Sequence, residues 1–299
     1  MRKLITDQIL EEILDRNKQG ELMQDLAKEY GFYPTAINNA MNRKNIGLKA
    51  VRRKSPMNEG YFSDINTEEK AYLLGILFAD GCIRPAEEKR YNKGLSFSLV
   101  ESDKYIVQLL RDNINPKIKI LTRKQRDNWS STCSFSCRSE QIVDDLIRHG
   151  MKGNKIIDGR EFPTHLELPM IQHFIRGYFD GDGCIYTNEI QQRLAITIYS
   201  PCLNFLTSVQ HHLSCLNIES NIRVDTKNRI TPLGGLHIYK NKSKIDFLNY
   251  IYRDSSIYLI RKKVKFDSLE YKEKDNTVLI NSLKAIDSVT SMEDTLNIS

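Results

Sequence analysis

The sequence predicts an α+β protein built from two halves of the same order, αββαββα, related by a pseudo-twofold axis and preceded by a small all-α domain. Two observations predict it. The first is a repeat: residues 72–81, YLLGILFADG, are answered 102 residues later by 174–183, FIRGYFDGDG. The second is the order of periodicities after each copy, where alternating and helical apolar patterns follow one another in the same succession.

Within the repeat, Gly75 answers to Gly177, Ala79 to Gly181, Asp80 to Asp182 and Gly81 to Gly183, and Cys82-Ile83 is echoed by Cys184-Ile185. Small residues four apart share one helical face and let two helix backbones approach. The helices are therefore expected to pack on each other. A glycine just past the last turn stops each one, which sets Asp80 and Asp182 at their C-terminal ends. There the helix dipole and the neighbouring carboxylate both disfavour negative charge, an arrangement that calls for a divalent cation. Either copy alone reads as an ordinary core helix with its stop; the repeat is what points to a site.

Both stretches resemble the signature of the LAGLIDADG homing endonucleases. Leu73, Gly75, Ala79, Asp80 and Gly81 match it in the first copy, and Gly177, Asp180, Asp182 and Gly183 in the second. The resemblance runs over 67–269. It implies two halves forming a DNA-binding saddle, with the last acid of each motif, Asp80 and Asp182, as metal ligands. Whether the backbone at position 79 joins them stays open. Asp180 reads as an extra, structural acid, because the first copy has Phe78 there.

The family also places a basic residue near each acid. Gly150-Met151-Lys152-Gly153-Asn154-Lys155 resembles the loop that carries it in the first half, giving Lys155, 75 residues after Asp80. Leu259-Ile260-Arg261-Lys262-Lys263 resembles the matching segment, giving Lys262, 80 residues after Asp182. Lys152 and Lys263 are the substitutes.

Length and composition agree with this class. A chain of 299 residues suffices for two or three domains. With 40% hydrophobic and 27% charged residues it is ordinary for a soluble protein, and its net charge of +6 suits a polyanionic partner. No apolar run nears the roughly 20 residues of a membrane helix. The first residues lead into Asp7, Glu11 and Glu12 rather than a signal core, so an intracellular site is expected: cytoplasm, bacterial or phage-encoded, or an organelle. The six cysteines include no Cys-x-x-Cys pair. Cys133, Phe135 and Cys137 alternate with Thr132, Ser134 and Ser136, which predicts a strand with one buried face rather than a zinc site.

Taken in order, residues 6–42 read as three short helices. Ala27, Gly31 and Ile37 fall where a helix-turn-helix needs a small residue, a turn and a core anchor, so 1–48 resembles that DNA-binding module. Its third helix turns Thr35, Asn38, Asn39, Asn42 and Arg43 outward. A basic linker, 49–66, contains Arg52 and Arg53 and leads to a hinge at 55–64.

The first half is expected over 67–163, with strands at 82–88, 94–100, 117–126 and 129–138 and helices starting near Ser102 and Glu140. The second, 164–272, has strands at 184–189, 193–199, 218–226 and 235–239 and helices at 202–213 and 243–252. The tail, 273–299, shows a weak helical pattern at 278–286. Lys93, Lys119, Arg123 and Arg126 in the first half, and Arg193, Arg223, Lys227 and Arg229 in the second, are candidates to face DNA.

The expected activity is a Mg²⁺-dependent double-strand break at a long DNA site by a monomer encoded in an intron or free-standing gene. A silent DNA-binding regulator and an RNA maturase acting on its intron are the rivals.

Overall fold

The computed structural model describes residues 4–44, 57–84, 93–124, 130–153, 159–188, 193–227, 231–271 and 278–279. The chain divides into two compact units, 1–57 and 58–299.

The first unit is three helices, α1 (Asp7–Lys18), α2 (Met23–Glu29) and α3 (Pro34–Arg43). The Thr6 hydroxyl caps α1 by accepting from the Ile9 amide, and Pro34 opens α3 with a φ already suited to a helix. Leu10, Ile13, Leu14, Leu26, Ala27, Ile37, Ala40 and Met41 form its core. Gly31 takes φ +72°, and the Phe32 amide donates back to the Ala27 carbonyl across it. Only glycine enters that left-handed region without strain. Arg16 is bound by Glu21 and Glu29, which ties the end of α1 to α2.

The second unit holds two halves of identical topology. The first comprises α4 (Glu68–Asp80), β1 (Gly81–Arg84), β2 (Gly94–Val100), α5 (Lys104–Ile114), β3 (Leu121–Arg123), β4 (Thr132–Cys137) and α6 (Glu140–Arg148). The second comprises α7 (Leu168–Asp182), β5 (Gly183–Asn188), β6 (Arg193–Ser200), α8 (Leu203–Cys215), β7 (Ser220–Asp225), β8 (Leu233–Ile238) and α9 (Asn241–Tyr252), followed by α10 (Ile260–Asp267). Each sheet is antiparallel, in the orders β1-β2-β4-β3 and β5-β6-β8-β7. The duplicated αββαββα order read from the sequence is present in both halves.

In each sheet one face is apolar and carries helices. Leu95, Phe97, Leu99, Cys133, Phe135 and Cys137 are buried in the first, and Leu194, Ile196, Ile198, Leu236 and Ile238 in the second. The other face alternates polar and open, as the period of two requires. Cys133, Phe135 and Cys137 are thus strand core.

The halves meet through α4 and α7. Every residue from Ala71 to Ala79 is buried, because α4 packs on its sheet and on α7 at once. Each Leu, Ile or Phe so buried contributes about 1.5–3 kcal/mol. A Cβ added to Gly75 would lie 2.0 Å from the Phe174 carbonyl oxygen, and one added to Gly177 would lie 2.1 Å from that of Tyr72. Those two contacts are the same contact under the 102-residue offset, which establishes the dyad.

Three expectations change. The hinge expected at 55–64 is partly core of the first half, since Tyr61 and Phe62 are buried and the Phe62 carbonyl accepts from His149; their apolar surface outweighed the turn signals at Asn58 and Gly60. The weak helical pattern at 278–286 begins instead as an extended pair, Val278–Leu279 against Glu270–Tyr271, with 280–299 outside the described residues. The strand expected at 117–126 is only Leu121–Arg123, because the Asn115 side chain accepts from the Lys117 amide and Arg111 binds the Pro116 carbonyl, turning the chain there.

Candidate active site

The two acids come to one place for a local reason. Gly81 and Gly183 end α4 and α7, and each strand begins at once, so Asp80 and Asp182 sit at the junctions where the helices leave their mutual contact. The Asp80 carboxylate lies against α7: a Cβ on Gly181 would be 2.7 Å from Asp80 Oδ2 and 2.3 Å from the Ala79 methyl. Gly181 directly precedes Asp182, so the close helix approach is what brings the acids together. Asp80 is exposed and Asp182 half-buried.

Beneath them is a frame that fixes the helix ends. Lys262, 5% exposed, donates to the carbonyls of Phe179 at 2.5 Å and Gly183 at 2.6 Å and lies over the Phe179 ring. It adds a charged donor at the C-terminal end of α7, where the Phe179 carbonyl also accepts from the Gly183 amide. Burial lowers the Lys262 ammonium to about 8, opposed by the charge of Asp180 and more weakly of Asp182.

The first half has a counterpart, Arg160. Its guanidinium, 3% exposed as a residue, donates to the carbonyls of Phe78 and Gly81 at 3.4 Å and reaches Lys152 O at 2.5 Å. Gly81 and Gly183 are dyad mates, and Arg160 lies 80 residues after Asp80, the separation of Lys262 from Asp182. The sequence reading overlooked Arg160 in favour of Lys155, although that equal spacing was the available signal. Burial lowers the Arg160 pKa, with Asp182 acting on it in the opposite sense. Asp182 therefore lies in the field of both cations.

Lys155 lies outside the described residues. Lys152 pairs with Glu161 and Lys263 with Asp267, so both substitutes are engaged at the surface.

Asp180 is the buried acid of the site, and it points away from the dyad. It accepts from the Tyr72 hydroxyl at 2.8 Å, the Tyr252 hydroxyl at 2.5 Å and the Leu259 amide at 2.7 Å. Burial raises its carboxyl pKa, against those three donors and the Lys262 charge. It binds α4, α9 and the start of α10 together, the structural role the sequence suggested. Arg176 does similar work at the other end of α7. Fully buried, it pairs with Glu68 at 2.5 Å and donates to the carbonyls of Ile251 and Ile257.

The open sheet faces lead away from the acids. In the first half a groove of about 660 Å³ starts at Asp80 and runs past Arg84, Ser96, Ser98, Ser134 and Arg123. In the second, concavities of about 290 and 570 Å³ share Arg223 and His237.

Among the candidate contacts, Arg123 and Arg223 are exposed on these open faces, and Lys119 and Lys227 are exposed just before β3 and just after β7. Lys93, just before β2, pairs with Asp144 of α6. Arg193 lies in β6, with its side chain outside the description, and Arg52, Arg53, Arg126 and Arg229 lie outside the described residues. On α3, Thr35, Asn38, Asn39, Asn42 and Arg43 are all exposed.

The donor set at the dyad is two carboxylates. Among the described residues no group of three or more acidic, histidine or cysteine side chains forms a complete cage. Two carboxylates suit a hard divalent cation, which takes one or two carboxylates and completes its shell with water and substrate phosphate oxygens.

This arrangement defines a two-copy α+β protein with one paired-acid site on its dyad. Residues 170–252, from within α7 to the end of α9, match the family model for the LAGLIDADG-like domain. The match covers the second half only, and the first half repeats that half's topology, helix contact and acid.

Among curated proteins, the chain is 24% identical over 210 residues to elongation factor 2 of Methanopyrus kandleri (strain AV19), covering 69% of this chain and 14% of that protein. It is 23% identical over 219 residues to the ribonucleoside-diphosphate reductase NrdEB subunit alpha of Bacillus subtilis (strain 168), covering 68% and 19%. The chain thus spans less than a fifth of these relatives. Among solved structures it is similar to I-DmoI in complex with DNA and Ca, at 18% identity and TM-score 0.47, covering 67% of this chain and 97% of that one. It is also similar to the meganuclease I-SmaMI bound to uncleaveable DNA, at 12% identity and TM-score 0.46, covering 69% and 89%.

Proposed function

We propose that the chain is a site-specific homing endonuclease that makes a Mg²⁺-dependent double-strand break in a long DNA target, acting as a monomer with both acids in one chain. The observation that carries this reading is the convergence of Asp80 and Asp182 at the C-terminal ends of two dyad-related helices, between two open polar sheet faces. Two carboxylates at two negative dipole ends gain a strong electrostatic partner in a divalent cation.

Asp80 and Asp182 would hold the metal, which when bound polarises the scissile phosphate and acidifies an attacking water. In each strand's cut, the water oxygen would bond to phosphorus as the bond to the leaving sugar oxygen breaks, the water giving a proton to solvent and the leaving oxygen taking one up. Arg160 and Lys262 supply positive charge to the same region while locking the helix ends. The sheet faces, with Arg84, Arg123 and Arg223, track the duplex.

The N-terminal unit supports a helix-turn-helix role. Ala27 is buried, Gly31 makes the turn, Ile37 anchors α3, and the outward face of α3 carries amides, a hydroxyl and Arg43 without an acid. An elongation factor and a reductase subunit differ in named activity, yet each aligns with this chain over more than 200 residues, at 24% and 23% identity. A shared segment with an activity of its own, carried as a mobile coding element, accounts for that.

The test is cleavage of a randomised duplex library in Mg²⁺ by the unaltered chain, Asp80→Asn and Asp182→Asn. Cutting of both strands is expected from the first, and nicking or no reaction from each variant. Steeply salt-dependent binding without any cutting would instead leave a DNA-binding regulator.

A further inference from the structure

The two open faces carry different chemistry. The first is lined by small hydroxyls, Ser96 and Ser98 on β2 facing Ser136 and Ser134 on β4. The second carries a histidine whose ring is held in place. His237 on β8 stands opposite Thr197 of β6 and Asn221 of β7. Its Nδ1 lies 3.0 Å from the Thr197 hydroxyl, and Thr197 is itself buried.

The ring lies across Gly235, two residues back on the same face. A Cβ there would be 2.9 Å from His237 Nε2, 3.3 Å from the Thr197 methyl and 3.4 Å from the Tyr199 ring. Glycine inside a strand weakens it and marks a close approach; here the approaching group is the imidazole. Arg223 faces Gly235 in register from β7 and is exposed. Burial and then the Arg223 charge hold the imidazole pKa below its usual value. We assign the tautomer in which the Thr197 hydroxyl donates to Nδ1, which leaves the proton of the neutral ring on Nε2.

In that tautomer the ring offers a single donor beside the forked donors of Arg223. In the major groove guanine alone among the four bases presents two acceptors, N7 and O6, and no donor, whereas adenine and cytosine present an amino group. Asn221 offers both a donor and an acceptor, the pair that suits adenine N6 and N7, so it is not the source of a guanine preference.

We propose that His237, held by Thr197 over Gly235, is a base-reading residue of the second half-site and with Arg223 selects a guanine. This assignment rests on the reading that the open sheet faces bind duplex DNA.

Selection of duplexes from a randomised library by the full chain in EDTA reads binding without cleavage. The unaltered chain is expected to fix guanine at one position of one half-site. His237→Phe keeps the bulk and removes the donor, and Gly235→Ala keeps the donor and displaces it; each is expected to relax that position roughly tenfold and leave the others unchanged. Thr197→Val, which removes only the hydroxyl, blunts the same position and covers the case in which one of the others melts early. A position that stays guanine in all three variants, or one fixed as adenine or cytosine, overturns the assignment while leaving sheet-mediated binding intact. If the unaltered chain enriches no duplex, sheet-mediated binding fails and this assignment fails with it.

Discussion

Replacing Gly177 by alanine sets two physical effects against each other. In an isolated helix alanine is better by about 1 kcal/mol, because glycine loses more backbone freedom on folding. The helix contact argues the other way. The added Cβ would stand 2.1 Å from the Tyr72 carbonyl oxygen, 2.9 Å from the Ile76 amide nitrogen and 3.0 Å from the Tyr72 carbonyl carbon. All three are backbone atoms inside α4, and none can rotate away as a side chain would.

Restoring an ordinary separation of about 3.5 Å requires the helices to part by roughly 1 Å. A gap of that size forfeits a quarter to a half of each dispersion contact it opens. Overpacking of this kind costs about 1–3 kcal/mol, and lost contact along the α4–α7 seam adds to it. A net loss of about 3 kcal/mol, after subtracting the propensity gain, lowers Tm by roughly 6–12 °C in a unit of this size. Differential scanning calorimetry of the full chain measures it. Gly75→Ala, the dyad mate, with its Cβ 2.0 Å from the Phe174 carbonyl oxygen, should fall by a similar amount. An unchanged or raised Tm in either variant would falsify the backbone-contact argument. Because Asp182 rides on α7 and Asp80 lies against Gly181, cleavage should fall further than stability at temperatures where both variants are folded.

Two further outcomes follow from buried charge. Arg176→Met removes the guanidinium from Glu68, which keeps the Ser256 and Ile257 donors, and takes a donor from the carbonyls of Ile251 and Ile257; a loss of about 3–5 kcal/mol is expected in urea unfolding, and a loss under about 1 kcal/mol refutes the buried-pair account. His149, with Nδ1 2.7 Å from His165 Nε2 and Nε2 2.8 Å from the Phe62 carbonyl, is held below its usual pKa chiefly by burial, and so is His165. Depressed imidazoles bind protons more readily in the unfolded chain. Their stabilisation is present above the unfolded value near 6.5 and is lost as pH falls below it. Tm should therefore drop between pH 7 and pH 5, and drop less in His149→Gln. An equal drop in both proteins excludes the pair as a cause.

The repeat, the helix stops and the alternating strands were legible because each is a local pattern: apolar period, a glycine past a turn, a charged residue at a fixed offset. Asp80 and Asp182 were singled out on those grounds and Lys262 by resemblance to a family segment, and the duplicated topology was readable too. Tertiary structure decided what no local pattern encodes. Arg160 and Lys262 share a role through the same backbone carbonyls despite different side chains and different neighbours in sequence. Lys93 turned to Asp144, a partner 51 residues away. Tyr61 and Phe62 went into the core although turn residues surround them, and His237 found its place because Gly235 left room for the ring. Sequence fixes which groups a segment can offer; the packing of α4 on α7, and of each sheet under its helices, sets which of them meet, because contacts between distant residues depend on distances and directions that a single chain's periodicity does not contain.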